Sequence, residues 1–152
     1  MSSIHHGVAV VITNNQKNLF YIQQKDETYW IKRDKLKYCF FGGAVNSQEK
    51  EADALKRELL EELEKSAANL IIKNSNKIFN SFFKTTHSEF KKDVKFALFE
   101  SILPEDELKK ISQFPIKEGK CGKLIKKSEL KIKDFMKDLK TPIKEYFKFI
   151  ES

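Results

Sequence analysis

The stretch that decides the fold is Gly43-Ala-Val-Asn-Ser-Gln-Glu-Lys-Glu-Ala-Asp-Ala-Leu-Lys-Arg-Glu-Leu-Leu-Glu-Glu62. From Glu49 onward its residues are mostly good helix formers. Apolar residues recur there at steps of three and four, namely Ala52, Leu55, Leu59 and Leu63. This spacing predicts one long amphipathic helix from Glu49 to about Ala67, anchored in a core by its apolar side.

The same helix carries a cluster of acidic residues. Because an α-helix turns by about 100° per residue, Glu58, Glu61 and Glu62 fall within about one third of its circumference, away from the apolar side. Three like charges so close repel one another unless a cation compensates them, and carboxylate oxygens suit Mg²⁺ or Mn²⁺ rather than zinc. The alternative is an ordinary solvated acidic face.

The positions of Gly43, Glu49, Arg57-Glu58-Leu59 and Glu61-Glu62 give the pattern G-x5-E-x7-R-E-L-x-E-E. This pattern resembles the signature box of the Nudix hydrolase family, and Phe40-Phe-Gly-Gly43 stands where that family commonly has an apolar residue, Pro and two glycines. Two later box positions differ, because Glu64 replaces a glycine and Lys65 an apolar residue. The glycine normally ends the helix in a left-handed cap, which a glutamate adopts only at a cost of about 1 kcal/mol. We therefore expect the helix to run on, with altered specificity rather than lost activity.

The resemblance implies a fold and a reaction. The fold is α+β, an α/β/α sandwich around a mixed β-sheet, and the reaction is attack by water on a diphosphate linkage with the help of Mg²⁺ or Mn²⁺. It implies that Glu58, Glu61, Glu62 and the carbonyl of Gly43 lie at the metal and that Glu58 or Glu61 is the general base. Arg57 is expected to orient a carboxylate by pairing with Glu49 or Glu61.

A second resemblance lies downstream, where Lys117-Glu-Gly-Lys-Cys-Gly122 is similar to the KEG-x-x-G loop of MutT-like members. It implies that Glu118 is a further metal ligand, the alternative being an ordinary glycine turn. His87 and Glu89 are alternative general bases in a polar connection. His5 and His6 are expected at the surface.

Base recognition needs an aromatic or apolar slot, for which the candidates are Tyr29, Trp30, Phe41 and Phe83. Core packing is the alternative for each of them. Lys140 stands where MutT-like members have an Asn that reads an oxidised guanine, so that specificity is not expected. Residues 80–83 offer neither the Pro nor the Tyr that marks two other subfamilies, which favours a nucleoside triphosphate or a nucleotide sugar.

The flanking sequence predicts the remaining elements. Gly7 to Ile12 and Leu19 to Gln23 are predicted to form a hairpin, and Val94 to Glu100 a further strand. Residues 69–83 are predicted to form a strand pair, or a strand and a turn. The end of the chain is predicted to contain a short helix after Pro104, a strand at Leu124-Ile125, and one or two helices between residues 128 and 149, interrupted near Pro142.

Composition sets the broad class. The 152 residues suit a single domain over 1–152. The net charge of +7 comes from scattered lysines, so a nucleic-acid function is not expected. Two cysteines, no export signal and no apolar run of membrane-spanning length predict a cytoplasmic protein. The resemblance implies a small nucleotide as the substrate, and we expect a monomer or a homodimer. Two alternatives remain: a catalytically silent nucleotide- or RNA-binding module, and an isoprenoid diphosphate isomerase of the same fold using Cys39.

Overall fold

The fold is built on a β-sheet, and the computed structural model describes residues 4–86, 92–116 and 121–151. These residues form seven strands: β1 (Ile4–Thr13), β2 (Leu19–Gln24), β3 (Tyr38–Cys39), β4 (Phe41–Ala44), β5 (Ser75–Lys84), β6 (Asp93–Ile102) and β7 (Cys121–Lys126). They also form four α-helices: α1 (Glu51–Glu62), α2 (Lys65–Lys73), α3 (Glu105–Ile111) and α4 (Lys140–Glu151). Short 3-10 turns occupy Lys32–Asp34, Lys127–Glu129, Ile132–Asp134 and Lys137–Leu139.

Strand β1 lies in the middle of the sheet. It runs parallel to β6 along its whole length, and β5 pairs antiparallel with the far edge of β6. On its other side β1 pairs antiparallel with β4 along Gly7 to Val10 and with β2 at Ile12 and Thr13. Strand β2 continues past β1 and pairs with β3 and β7. The chain therefore passes from beside β2 to beside β1 between Cys39 and Phe41.

Alternation along β1 separates two hydrophobic cores. Val8, Val10 and Ile12 face a core that contains buried residues of α1, α2 and α3. Ala9 and Val11 face a second core that contains buried residues of α4. Because successive side chains of a strand point to opposite faces, helices cover both faces of the sheet. The expected α/β/α sandwich around a mixed sheet is confirmed.

The predicted single helix is wrong in one respect, since it is broken into α1 and α2. Leu63 leaves the helical conformation with φ −118°, and Glu64 follows with φ −60°. The carboxylate of Glu64 accepts hydrogen bonds from the backbone N–H groups of Ser66 and Ala67, so it caps the start of α2. Glu64 therefore needs no left-handed conformation at the position of the missing glycine.

Other elements differ from the prediction in detail. Residues 69–83 contain the end of α2 and most of β5 rather than a strand pair, because Ala67, Ala68 and Ile71 bury one face of a helix. Ala52 is exposed, and Ala54 takes its expected place in the core. Pro142 is the third residue of α4 and does not interrupt it, since the first turn needs no N–H from this position.

The remaining strand predictions are confirmed at β1, β2, β6 and β7, and the helix after Pro104 is α3. Across the described ranges, no helix is long and apolar enough to cross a membrane.

Candidate active site

Two glycines of β4 bring the sheet close to α1. Gly42 has a φ of +147°, and a Cβ placed on it would lie 2.1 Å from the carbonyl oxygen of Val8. A Cβ placed on Gly43 would lie 2.3 Å from Cδ of Glu58 and 2.5 and 2.6 Å from its two carboxylate oxygens. The carboxylate of Glu58 therefore rests directly on the backbone of Gly43, in space that any other residue would fill.

Arg57 holds the acidic residues on either side of it. Its Nε and Nη2 donate to the two carboxylate oxygens of Glu49 at 3.0 Å each, and Nη2 also donates to the carbonyl oxygen of Ala44 at 2.9 Å. Its Nη1 donates to Oε1 of Glu58 at 3.0 Å and lies 3.6 Å from Oε1 of Glu61. One guanidinium thus joins the loop before α1 to two carboxylates on the helix.

The electrostatics of this network follow from these bonds. Hydrogen bonds from Arg57 and from the backbone N–H of Asn46 lower the pKa of Glu49. Hydrogen bonds to Glu49 and Glu58 raise the pKa of Arg57, which stays charged at any physiological pH. The planar fork of the guanidinium fixes the orientation of the Glu49 carboxylate, which is the architectural role expected for Arg57.

The three carboxylates of α1 do not share one environment. The side chain of Glu61 is 57% exposed and that of Glu58 only 17%, whereas Glu62 is buried with 7% exposure. Glu62 accepts hydrogen bonds from the backbone N–H of Gly42 at 3.0 Å and from Nε2 of Gln23 at 2.8 Å. The expected outward acidic edge therefore consists of Glu58 and Glu61, and Glu62 points into the gap between β2 and β4.

The contact of Gln23 with Glu62 was not expected from the sequence. Gln23 and Tyr21 project from the same face of β2, so Gln23 places an amide where the strand pattern calls for a core residue. A buried polar residue at an inward strand position was the available signal, because such groups are kept only where they find partners. Its partner on α1 is 39 residues away in the chain and could not be read from spacing.

The start of α1 is tied to the sheet by a second cluster. Glu51 accepts a hydrogen bond from Lys77 of β5 at 2.7 Å and lies 2.6 Å from Nε2 of His6 of β1. Burial acts to raise the pKa of Glu51, but the hydrogen bonds from Lys77 and His6 outweigh it and leave the pKa lowered. His6 is therefore a structural contact of α1. His5 lies at the surface, as expected, and the partial desolvation of its ring, with the charges of Lys92 and His6, lowers its pKa.

The four aromatic candidates lie in different surroundings. Phe41 is fully buried and stacks on Tyr21, with ring centroids 5.2 Å apart, so the core alternative applies to it. Phe83 packs edge-on against Phe96 in the sheet layer. Tyr29 and Trp30 lie together in the excursion between β2 and β3, with ring centroids 6.2 Å apart.

Two of these aromatics remain accessible to a ligand. Trp30 is 59% exposed, and Lys25 lies 4.8 Å from the ring centroid of Tyr29. Burial, together with the nearby Asp34 and Cys39, raises the pKa of Tyr29.

Glu118, His87 and Glu89 lie outside the described residues. Gly122, the last residue of the KEG-x-x-G resemblance, is described, and a Cβ on it would lie 2.2 Å from the hydroxyl oxygen of Tyr21. This glycine is therefore required by the packing of Tyr21. Burial raises the pKa of Tyr21 to about 12, with a further contribution from Cys121.

The donor chemistry around α1 fits a hard divalent cation. Glu58, Glu61 and Glu62 supply carboxylate oxygens within two helical turns, and the Gly43 backbone lies directly under one of them. Within the residues that the structure describes, no three acidic, histidine or cysteine side chains converge on one point. A cavity of about 340 Å³ beside Lys109 and Lys127 lies at the opposite end of β2 from this site.

Comparison with known protein families finds one whose sequence model covers most of the chain. A sequence model of the family described as NUDIX domain matches residues 3–139. No curated protein matches the chain.

Solved structures share the fold over almost the whole chain. The MutT protein from Methanosarcina mazei Go1 is 14% identical, with 99% of this chain and 98% of that chain covered and a TM-score of 0.62. A C. elegans Ap4A hydrolase binary complex is 17% identical, with 97% and 98% covered and a TM-score of 0.63. A bifunctional NMN adenylyltransferase/ADP ribose pyrophosphatase from Francisella tularensis, complexed with AMP and Mn ion, is 18% identical, with 99% of this chain but 42% of that chain covered and a TM-score of 0.64. At these identities the likeness concerns the fold alone.

Proposed function

The chain belongs to the Nudix family of hydrolases, and from this premise we propose that it cleaves a phosphoanhydride bond in a nucleoside diphosphate derivative with the help of Mg²⁺ or Mn²⁺. The observation that carries the proposal is the arrangement around Arg57. This residue binds Glu49 through two hydrogen bonds and holds Glu58 and Glu61 beside each other on α1. Such a frame keeps carboxylates in place for a cation and a diphosphate.

The residues that would hold the metal are Gly43, through its carbonyl oxygen, Glu58, Glu61, Glu62 and Glu118. When bound, a divalent cation neutralises charge on the diphosphate oxygens and lowers the pKa of a coordinated water. The chain supplies the rest by position: Gly43 leaves the space that the Glu58 carboxylate needs, and Arg57 fixes the direction in which that carboxylate points.

Glu58 or Glu61 is the proposed general base, which takes the proton from the attacking water. The two differ in freedom of movement. Glu58 is held by Arg57 over Gly43, whereas the exposed Glu61 contacts Arg57 only at 3.6 Å and can reach toward a substrate. Replacing Glu58 and Glu61 one at a time distinguishes the general base from a metal ligand, because loss of the base lowers kcat even at saturating metal.

The substrate is proposed to be a nucleoside triphosphate or a nucleotide sugar. Tyr29 and Trp30 lie together in the excursion between β2 and β3, and the exposed Trp30 ring is available to stack on a base. The net charge of +7 favours phosphate-bearing ligands in general. The fold is shared with proteins that act on Ap4A and ADP-ribose, so both compounds belong in the first substrate panel.

The organisation of the chain supports the same proposal. All described helices pack on one sheet, which supports a single domain over residues 1–152. A monomer or a homodimer is proposed for it. Both cysteines are free, which suits a reducing cytoplasmic setting. Cys39 is buried and donates to Gln23, so its thiol is not presented to a substrate as an isomerase acid would be.

The deciding experiment is a substrate panel with Mg²⁺ or Mn²⁺. Nucleoside triphosphates, nucleotide sugars, Ap4A and ADP-ribose are each incubated with the wild type, and released phosphate and pyrophosphate are measured. Glu61→Gln and Glu62→Gln should each lose at least about tenfold in turnover, because each removes a metal-binding or base carboxylate. Asp53→Asn is the matched control, since it removes an exposed carboxylate from the same helix and should keep full turnover.

Three outcomes would contradict the assignment in different ways. Full activity in both glutamine variants would remove the proposed site from the reaction. Tight binding of nucleotide or RNA that weakens steeply with salt, without turnover on any substrate, would favour a silent binding module. Isomerisation of an isoprenoid diphosphate would favour the alternative enzyme class.

A further inference from the structure

A buried chain of hydrogen bonds leads from strand β3 to helix α1. The thiol of Cys39 donates to Oε1 of Gln23 at 3.0 Å, and Nε2 of Gln23 donates to Oε2 of Glu62 at 2.8 Å. The other oxygen of Glu62, Oε1, accepts from the backbone N–H of Gly42 at 3.0 Å. Cys39, Gln23 and Glu62 are 4%, 1% and 7% exposed, so solvent does not substitute for these contacts.

The direction of the chain is set by its two ends. An ionised carboxylate only accepts hydrogen bonds, so the NH₂ side of the Gln23 amide must face Glu62. The amide oxygen then faces Cys39, whose single S–H is a donor. The β2–β3 register places Gln23 directly opposite Cys39, so the strand pairing itself presents the thiol to the amide.

Folding alone does not call for these polar groups. Two residues earlier on the same face of β2, Tyr21 packs into the core, and apolar side chains at positions 23 and 62 together would bury their surface without the desolvation that an amide and a carboxylate require. Replacing both partners of a buried polar pair by apolar groups of similar shape is often neutral or stabilising. The amide is therefore explained by what it does to Glu62.

We propose that Gln23 is a positioning residue for the metal-binding carboxylate of Glu62, with Cys39 setting the orientation of the Gln23 amide. The proposal rests on the proposed function, since it assigns Glu62 to the metal. With Gln23 on one oxygen and Gly42 on the other, the carboxylate is fixed in its plane. A carboxylate has about four acceptor sites, so hydrogen bonds from Gln23 and Gly42 are compatible with a cation on the same group.

The consequence is a site with one fixed and one mobile carboxylate. Glu62 is immobilised before a cation arrives, whereas Glu61 is exposed and free to adjust. Partners that orient a metal ligand commonly contribute about 10- to 100-fold to metal affinity. Gln23 should therefore affect the binding of the metal more than the turnover of the loaded enzyme.

The test measures Mn²⁺ binding directly, from the paramagnetic resonance signal of free Mn²⁺, on the full chain with and without nucleotide. Gln23→Met keeps the length of the side chain and removes the amide, and it should weaken Mn²⁺ binding about 10- to 100-fold. Gln24→Met is the matched control, because the neighbouring amide donates to the carbonyl oxygen of Leu36 and should change binding less than about threefold. At saturating metal, kcat of the Gln23 variant should return to near the wild-type value while the metal concentration for half-maximal rate rises.

Cys39 gives a second, milder series that covers the case in which Gln23→Met fails to fold. Cys39→Ala removes the donor to Oε1 of Gln23 and should weaken Mn²⁺ binding, and Cys39→Ser restores a donor and should recover it. The ¹H–¹⁵N signal of the Gly42 amide reports the position of Glu62 without metal. It should shift in Gln23→Met and Cys39→Ala and stay in place in Gln24→Met.

The outcomes separate the two proposals. If the wild type and Glu62→Gln bind Mn²⁺ with different affinities but Gln23→Met, Cys39→Ala and the wild type bind alike, the role of Gln23 is refuted and the proposed function stands. If the wild type binds no Mn²⁺ even with nucleotide present, the proposed function fails. An unchanged Gly42 signal in Gln23→Met would refute the contact itself.

Discussion

Replacing Gly43 with alanine should damage the site while leaving the fold intact. The added Cβ would lie 2.3 Å from Cδ of Glu58 and at most 2.6 Å from both of its oxygens. Ordinary contacts between such atoms are about 3.5–4.0 Å, so the carboxylate must retreat by about 1 Å. The flexible Glu58 side chain can make this movement, and the expected loss of stability is therefore below about 1 kcal/mol.

The effect on activity should be much larger. A displacement of about 1 Å in a catalytic group can cost about 100-fold in rate, which corresponds to about 2.7 kcal/mol of transition-state stabilisation. The measurements are kcat and KM on the best substrate of the panel, and urea unfolding on the same samples. Glu58→Gln and the Gly43→Ala/Glu58→Gln double variant complete the cycle. In the double variant the second substitution should cause little further loss of kcat/KM, because both substitutions act through the Glu58 carboxylate.

Three results would refute this reasoning. Wild-type kcat/KM in Gly43→Ala would mean that the position of the Glu58 carboxylate is unimportant for the reaction. Additive losses in the double variant would mean that Gly43 acts on something other than Glu58. A large loss of stability would place the strain in the backbone rather than in the side chain.

Three further predictions concern the supporting structure. Gly122→Ala should lower the free energy of unfolding by about 1–3 kcal/mol, because its Cβ meets the buried ring of Tyr21 instead of a flexible side chain, and urea unfolding checks this. Glu64→Ala should lower the free energy of unfolding by about 1 kcal/mol through loss of the α2 cap; equal stability of the two proteins would show that the cap contributes nothing. Glu51→Gln should lower the free energy of unfolding by on the order of 1 kcal/mol at pH 7. Against the opposing effect of burial, hydrogen bonds lower the pKa of Glu51 in the folded state below its ordinary 4.5. Its contribution is therefore full above pH 4.5 and disappears as the pH falls through the lowered pKa, so unfolding curves of variant and wild type should converge in acid and stay apart at neutral pH.

The acidic turn of α1 was predictable because its geometry is local. Residues three and four apart on a helix lie on one face whatever the rest of the chain does, so Glu58, Glu61 and Glu62 could be grouped from their spacing. The pairing of Arg57 with Glu49 was accessible for a similar reason, since only the short loop before α1 and its first turns separate the two residues. The continuous apolar run from Gly7 to Ile12 likewise predicted a buried strand at β1.

The helix prediction was wrong at Glu64 because its side chain competes for backbone N–H groups. Helix propensity continues through Glu64, so periodicity favours one helix as far as Ala67. The Glu64 carboxylate instead binds two N–H groups that a continuous helix would use otherwise, and the chain starts a second helix there. The Glu64 side chain is compatible with one helix or with two, and the packing of the helices on the sheet decides between them.

The sequence by itself determined which residues could form an acidic helix and which could form strands, because both patterns repeat over distances of a few residues. Only the tertiary structure decided that Glu62 is buried, that Gln23 reaches it from β2, and that Gly122 must leave room for Tyr21. These contacts join positions far apart in the chain, and their existence depends on strand register and on the depth at which α1 packs. Spacing along a chain contains no information on either quantity until the sheet has formed.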